Sequence, residues 1–192
     1  GLAGYGVMPL VLGDLKPDYV DLIEALGGQV ITLGRGRGYL NILDPGEATE
    51  AAARLREAGF EKEASQVLAD AHGRRHTMVS ALLTILRSTP PTDREETIID
   101  RALKHLDEHH HGVPVLGDLL RVIQDGPPEV RAVALDRGDD ARYKAITEDL
   151  EASLIGLVGG GRLGETFARQ TTNPMRRDAP VVYDVSAIDD SE

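Results

Sequence analysis

Residues 7–33, VMPLVLGDLKPDYVDLIEALGGQVITL, decide the fold class that the sequence predicts. The stretch opens with an unbroken apolar run, residues 7–12, and a run without alternation is typical of a strand covered on both faces of a parallel sheet. Residues 18–26 predict a helix, which Pro17 can begin and Gly27-Gly28 ends. Residues 29–33 then predict a second strand. Strand, helix and strand in this order predict a βαβ unit.

The middle of the chain predicts five or six helices. Apolar residues recur there at helical spacing, Gly73 is expected to interrupt the second helix, and Thr92-x-x-Glu95 has the spacing of a capping box. The predicted helices cover residues 47–57, 61–87, 93–106, 114–124, 129–135 and 143–157.

The end of the chain, residues 179–186, again predicts a strand. We therefore expect an α/β fold that is mostly helical by residue count, with a parallel sheet built from both ends of the chain. The expected domains are 1–45, an all-helical insertion at 46–160, and a return to the α/β core with an acidic tail at 161–192.

Composition excludes several classes of function. With 21 Lys and Arg against 32 Asp and Glu, the net charge of −11 disfavours broad binding of nucleic acid by this segment. The chain has no cysteine, which excludes disulfides, a thiolate nucleophile and Cys-ligated metals. Aromatic residues make up only 4%, so we expect an aliphatic core. No apolar run approaches the roughly 18 residues of a membrane span, and no signal peptide is evident.

Several short motifs carry a resemblance to a known family. They follow one another in a fixed order along the chain: Leu12-Gly-Asp-Leu-Lys-Pro-Asp-Tyr19, Leu26-Gly-Gly-Gln-Val-Ile31, Leu33-Gly-Arg-Gly-Arg-Gly38, Leu40-Asn-Ile-Leu-Asp-Pro45, Gly161-Arg-Leu-Gly164, Phe167, Thr171-Thr-Asn173 and Val181-Val-Tyr-Asp-Val185. In this order they resemble a conjugative-transfer, type IV secretion ATPase of the TraC-like kind. The resemblance covers about a third of the chain, at both ends.

The resemblance implies a RecA-like motor that is hexameric at work and hydrolyses ATP with Mg²⁺. Its partners would be proteins of the secretion or conjugation machinery and further copies of itself, and it would be cytoplasmic, at the inner face of the cell membrane. The phosphate-binding G-x-x-x-x-G-K-[ST] loop is absent from this chain, because no Gly-Lys dipeptide occurs in it. We therefore expect a fragment between the two Walker motifs of a longer protein, without ATPase activity alone.

Asp14, Lys16 and Asp18 are the candidate cofactor-binding residues. They follow the first predicted strand, where open α/β sheets place their ligands, and are expected near the nucleotide. The other interpretation is a helix-entry turn in which Asp18 caps amides and Lys16 is solvated. Arg35 and Arg37, in a Gly-rich loop, either face phosphate or belong to a connector. No catalytic residue is assigned.

Two histidine pairs have i,i+4 spacing, His72/His76 and His105/His109, with His110 and His111 beside the second. Such pairs can share a metal on one helix face, but neither fits H-E-x-x-H, and solvated helix ends are the other interpretation. No metal site is assigned from the sequence.

Two rival functions remain open at this point. One is a non-catalytic helical module that docks a protein through an apolar helix face. The other is a small α/β enzyme, for which no nucleophile, metal set or phosphate loop can be named.

Overall fold

The computed structural model describes residues 29–32, 41–160, 162–169 and 181–184. The chain divides into two units. One is Ile42–Gly159, and the other consists of Gly1–Asn41 together with Gly160–Glu192.

The unit Ile42–Gly159 is built from six helices, within the predicted five or six. They are α1 (Ala48–Glu57), α2 (Glu61–Arg87), α3 (Asp93–His109), α4 (Leu116–Asp125), α5 (Pro128–Ala134) and α6 (Asp140–Val158). Helix α1 packs on α2, and α3 packs on α2, α4 and α5. Helix α6 closes the arrangement by contacting α2, α4 and α5.

Helix α2 is continuous, so the predicted interruption at Gly73 is wrong. The helix runs from Glu61 to Arg87. A glycine in an exposed helix interior costs only about 1 kcal/mol relative to alanine. The buried face on either side of it, with Ala71, Met78 and Val79, provides enough packing to hold the helix together.

Helix α3 begins with the capping box that the sequence predicts. The Thr92 hydroxyl accepts the backbone N–H of Glu95 at 3.2 Å, and the Glu95 carboxylate accepts the backbone N–H of Thr92 at 3.0 Å. The same carboxylate forms a bidentate ion pair with Arg87, whose two terminal nitrogens donate to it at 2.7 and 2.8 Å. Glu95 therefore joins the end of α2 to the start of α3.

The core of this unit is aliphatic, as the composition predicts. Helix α3 contributes an apolar face that includes Leu106, and α4 and α6 add leucines at helical spacing. The fully buried side chains from these three helices include Ile98, Ile99, Ala102, Leu103, Leu116, Leu119, Ile123, Leu150 and Leu154.

Tyr143 is the one large aromatic side chain in this core. Its hydroxyl donates to the carbonyl of Ile123 at 2.6 Å, and burial raises its pKa to about 12. Gly126, which ends α4 in the left-handed region at φ 62°, lies directly against the ring: a Cβ there would approach Tyr143 Cε2 to 2.9 Å. The turn after α4 thus requires glycine for both conformation and space.

In the other unit, the described residues form two short strands and one short helix. Strand β1 (Gln29–Thr32) pairs in parallel with β2 (Val181–Asp184), with Gln29 opposite Val181 and Thr32 opposite Asp184. Helix α7 spans Arg162–Phe167.

The predicted α/β fold, with a partial RecA-like parallel sheet, is wrong. Most of the described residues are helical, and their extended structure is limited to the four-residue strands β1 and β2. Two such strands do not make the predicted sheet layer with helices on its faces. Helix-favouring residues with apolar spacing of three and four dominate residues 42–159, and this local preference decides the class of the described part. The predicted strand 7–12 and helix 18–26 lie outside the described residues.

Candidate functional site

The residues expected near nucleotide, Asp14, Lys16 and Asp18, lie outside the described part of the chain. Arg35 and Arg37 lie outside it as well. Their expected roles therefore stay predictions.

A line of charged and polar side chains lies where α2 faces α3. We call this line of side chains the polar seam. Helix α2 contributes five of its members and helix α3 four: His72, Arg75, His76, Ser80 and Arg87 face Glu95, Glu96, Asp100 and Asp107.

His72 lies between two carboxylates of α3. Its Nε2–H donates to Asp100 Oδ1 at 2.6 Å, and its Nδ1 is 3.8 Å from Asp107 Oδ2. Arg75, only 5% exposed, donates to the same Asp107 oxygen at 2.8 Å. One buried arginine and one part-buried histidine thus share two carboxylates.

These contacts shift the pKa values of His72, Asp100 and Asp107. Asp107 and Asp100 raise the pKa of His72 above its ordinary value, against the burial that lowers it. Burial raises the pKa of the Asp100 and Asp107 carboxyls, but hydrogen bonds outweigh it and lower both values. Asp100 accepts from His72 and Lys104, and Asp107 accepts from His72 and Arg75. At neutral pH the two carboxylates are ionised and His72 holds its proton more tightly than a free imidazole.

Further along the seam, His76 and Ser80 meet Glu96. His76 Nε2 is 3.3 Å from Glu96 Oε1, and the Ser80 hydroxyl donates to that same oxygen. At the end of the seam Arg87 also donates to the Ser153 hydroxyl on α6 at 2.9 Å. The pair with Glu95 raises the pKa of Arg87 and lowers that of Glu95. The seam fixes the register of α2 on α3 along most of their length.

The second histidine pair lies near the end of α3. The His105 and His109 rings stack with centroids 4.1 Å apart and planes inclined by 20°. Glu129, from the first turn of α5, reaches this pair, and His105 Nδ1–H donates to its Oε1. Among the described residues, His105, His109 and Glu129 form the one group whose ligand atoms lie close enough together to hold a metal ion, all within 4.8 Å of one another.

Sequence reasoning found both histidine pairs but none of their carboxylate partners. Asp100 and Asp107 are 28 and 35 residues from His72 along the chain (100 − 72 and 107 − 72), and Glu129 is 24 residues from His105 (129 − 105). The identity of such partners depends on how α2, α3 and α5 pack, which the pattern of a single helix does not specify. The acidic spacing of Glu96, Asp100 and Asp107 on one face of α3 is the pattern that could have suggested the seam.

A comparison with protein families, with characterised proteins and with solved structures finds no match to this chain. Among the described residues, none of the helices combines the length and the hydropathy that a membrane span requires.

Proposed function

We propose that this chain is a segment of a motor ATPase that powers type IV secretion or conjugative transfer. The observation that carries the proposal is the order of its motifs: the Asp14–Tyr19 turn, the Gly-rich loop 34–38 and Asn41–Pro45 on one side, and Gly161–Gly164 with Thr171–Asn173 on the other. In the TraC-like family, motifs of this kind flank a helical insertion.

The division of the chain supports this proposal. The helical unit Ile42–Gly159 lies, along the sequence, between two segments that belong to one other unit. This is the arrangement of an inserted helical part, which we propose transmits nucleotide-driven motion to a partner of the secretion machinery or to the transported substrate. The polar seam suits such a role, because ion pairs that fix the register of two helices make them move together.

The residues of this chain do not by themselves fit an ATP–Mg²⁺ site. A phosphate-binding loop of this class is rich in glycine and has a lysine that binds the β- and γ-phosphates and a hydroxyl that binds Mg²⁺. The chain contains no Gly-Lys dipeptide, so it has no such loop. We propose that ATP and Mg²⁺ are bound by other parts of a longer protein, with Asp14, Lys16 and Asp18 nearby. Assembly with further copies of the chain belongs to the same proposal.

The natural reading frame that encodes this chain tests the proposal. It is expected to encode a Gly-Lys-Ser/Thr phosphate-binding loop before Gly1 and an acidic pair on a strand after Glu192. A frame that starts and ends near these two residues would contradict it.

A second candidate, a non-catalytic module that docks a protein partner, is favoured by apolar side chains at the ends of α2 and α6. Ile85 is 39% exposed, Leu86 43% and Ile155 49%. Leu86 Cδ2 lies 4.0 Å from where a Cβ on Gly156 would be, which brings the two helix ends together. A reading frame limited to this chain would favour this candidate over the motor.

A further inference from the structure

Three side chains from two helices converge at the end of α3, and the motor proposal uses none of them. We propose that His105, His109 and Glu129 bind a divalent cation of the Zn²⁺ class, which ties the last turn of α3 to the first turn of α5. Imidazole nitrogen and carboxylate oxygen are ligands that Zn²⁺ prefers, and His at i,i+4 on one helix is a spacing that lets two rings reach one ion.

The hydrogen bonds of the two rings prepare them for this role. His109 Nδ1–H donates to the backbone carbonyl of His105 at 3.0 Å, which leaves the lone pair of the His109 ring on Nε2. Metal-binding histidines are commonly oriented in this way, by a backbone carbonyl on the other ring nitrogen. His105 Nδ1 and Glu129 Oε1 are hydrogen-bonded to each other, so an ion that binds both takes the place of the proton between them.

The spacing of the ligand atoms requires only a small adjustment. Ligands at about 2.1 Å from a tetrahedral zinc ion are about 3.4 Å from one another. The three ligand atoms lie within 4.8 Å of one another. The side chains therefore have to move by roughly an ångström to reach that spacing, and the stacked rings have to turn toward the ion. His109 is exposed and the other two are part-exposed, which leaves room for the movement and for a water as the fourth ligand.

The surrounding charges favour a cation. Two cations close in sequence to the group are paired elsewhere: Lys104 lies 3.3 Å from Asp100, and Arg131 lies 3.0 Å from Asp136 and 2.5 Å from Asp140. The net charge of the chain, −11, adds a long-range attraction.

The test is a zinc titration of the 192-residue chain without a polyhistidine tag, after treatment with a chelator. Calorimetry with ZnCl₂ alone as the probe measures affinity and stoichiometry for the wild type, His109→Ala, Glu129→Gln and the control His111→Ala. His111 is exposed and outside the group of three. One zinc ion per chain is expected, with an affinity reduced by about tenfold or more in the first two variants and unchanged in the control.

Thermal unfolding of the same four proteins provides a second readout. Zinc is expected to raise the Tm of the wild type and of His111→Ala, and to raise that of His109→Ala and Glu129→Gln by less, because an ion that binds only the folded state stabilises it and weaker binding stabilises it less. Neither His109→Ala nor Glu129→Gln removes a buried side chain, so both variants are expected to fold. No saturable zinc binding, equal affinity in all four proteins, or a loss of affinity confined to His111→Ala would each overturn the proposal.

Discussion

At the scale of single residues, the polar seam shows how the packing of two helices shifts the pKa of a histidine side chain. His72 is a helix residue that could equally have been solvated, but the antiparallel approach of α3 places Asp100 at 2.6 Å and Asp107 at 3.8 Å from its ring. The sequence indicates the histidine and its spacing to His76. It does not indicate the carboxylates, because their approach depends on the register between two helices.

The raised pKa of His72 predicts a specific dependence of stability on pH. A histidine with a higher pKa in the folded state than in the unfolded state binds its proton more tightly when folded. Its stabilising contribution is therefore fully present below the unfolded value of about 6.5 and is lost as the pH rises through the folded value. In His72→Gln this contribution is expected to be absent.

Urea unfolding at several pH values between about 5.5 and 8.5 measures this difference. The difference in the free energy of unfolding between wild type and His72→Gln is expected to shrink steadily as the pH rises. His111→Gln, an exposed histidine outside the seam, is expected to follow the wild-type curve. A difference that stays constant or grows with pH would show that His72 does not hold an additional proton in the folded state.

At the scale of elements, local sequence patterns predict where helices lie better than they predict which side of each helix is buried. The capping box at Thr92 and Glu95 is readable because its partners are three residues apart, and the apolar face of α3 is readable because its spacing is regular. On α2 the apolar residues Ile85 and Leu86 continue the helical spacing but are exposed, at 39% and 43%. Leu82 and Leu83 are the buried residues there, since the contacts with α3 and α6 decide which face of the last turns is covered.

The start of α3 offers a direct measurement of one local contribution. Thr92→Ala removes the hydroxyl that accepts the backbone N–H of Glu95. Replacing an N-cap threonine by alanine is expected to lower the free energy of unfolding by about 1 kcal/mol. Chemical unfolding monitored by circular dichroism measures this loss.

Thr97→Ala is the matched control in the same helix. The Thr97 hydroxyl donates to the carbonyl of Asp93 within the helix, and alanine has the higher helix propensity. The control is expected to be neutral or slightly stabilising. Equal losses in both variants would show that the capping box contributes nothing particular to α3.

At the scale of the whole molecule, the sequence predicts the helices of residues 42–159 correctly and the fold class wrongly. Residues 42–159 carry long amphipathic patterns with clear stops, such as Pro90-Pro91 and Gly159-Gly160, and each of these delimits a helix in the structure. The predicted α/β class rested instead on short apolar runs, which periodicity alone cannot assign. Three of the motifs behind the motor proposal, the Asp14–Tyr19 turn, the Gly-rich loop 34–38 and Thr171–Asn173, lie outside the described residues. A biochemical measurement is therefore needed to test the proposal.

Hydrolysis of ATP is the measurement that tests the central claim most directly. The protein encoded by the natural reading frame and the 192-residue chain alone are compared under the same conditions, with and without Mg²⁺. The longer protein is expected to hydrolyse ATP in a Mg²⁺-dependent manner, and the chain alone is expected to stay at background because it has no phosphate-binding loop. Hydrolysis by the chain alone, or no hydrolysis by the longer protein, would contradict its assignment as a motor segment.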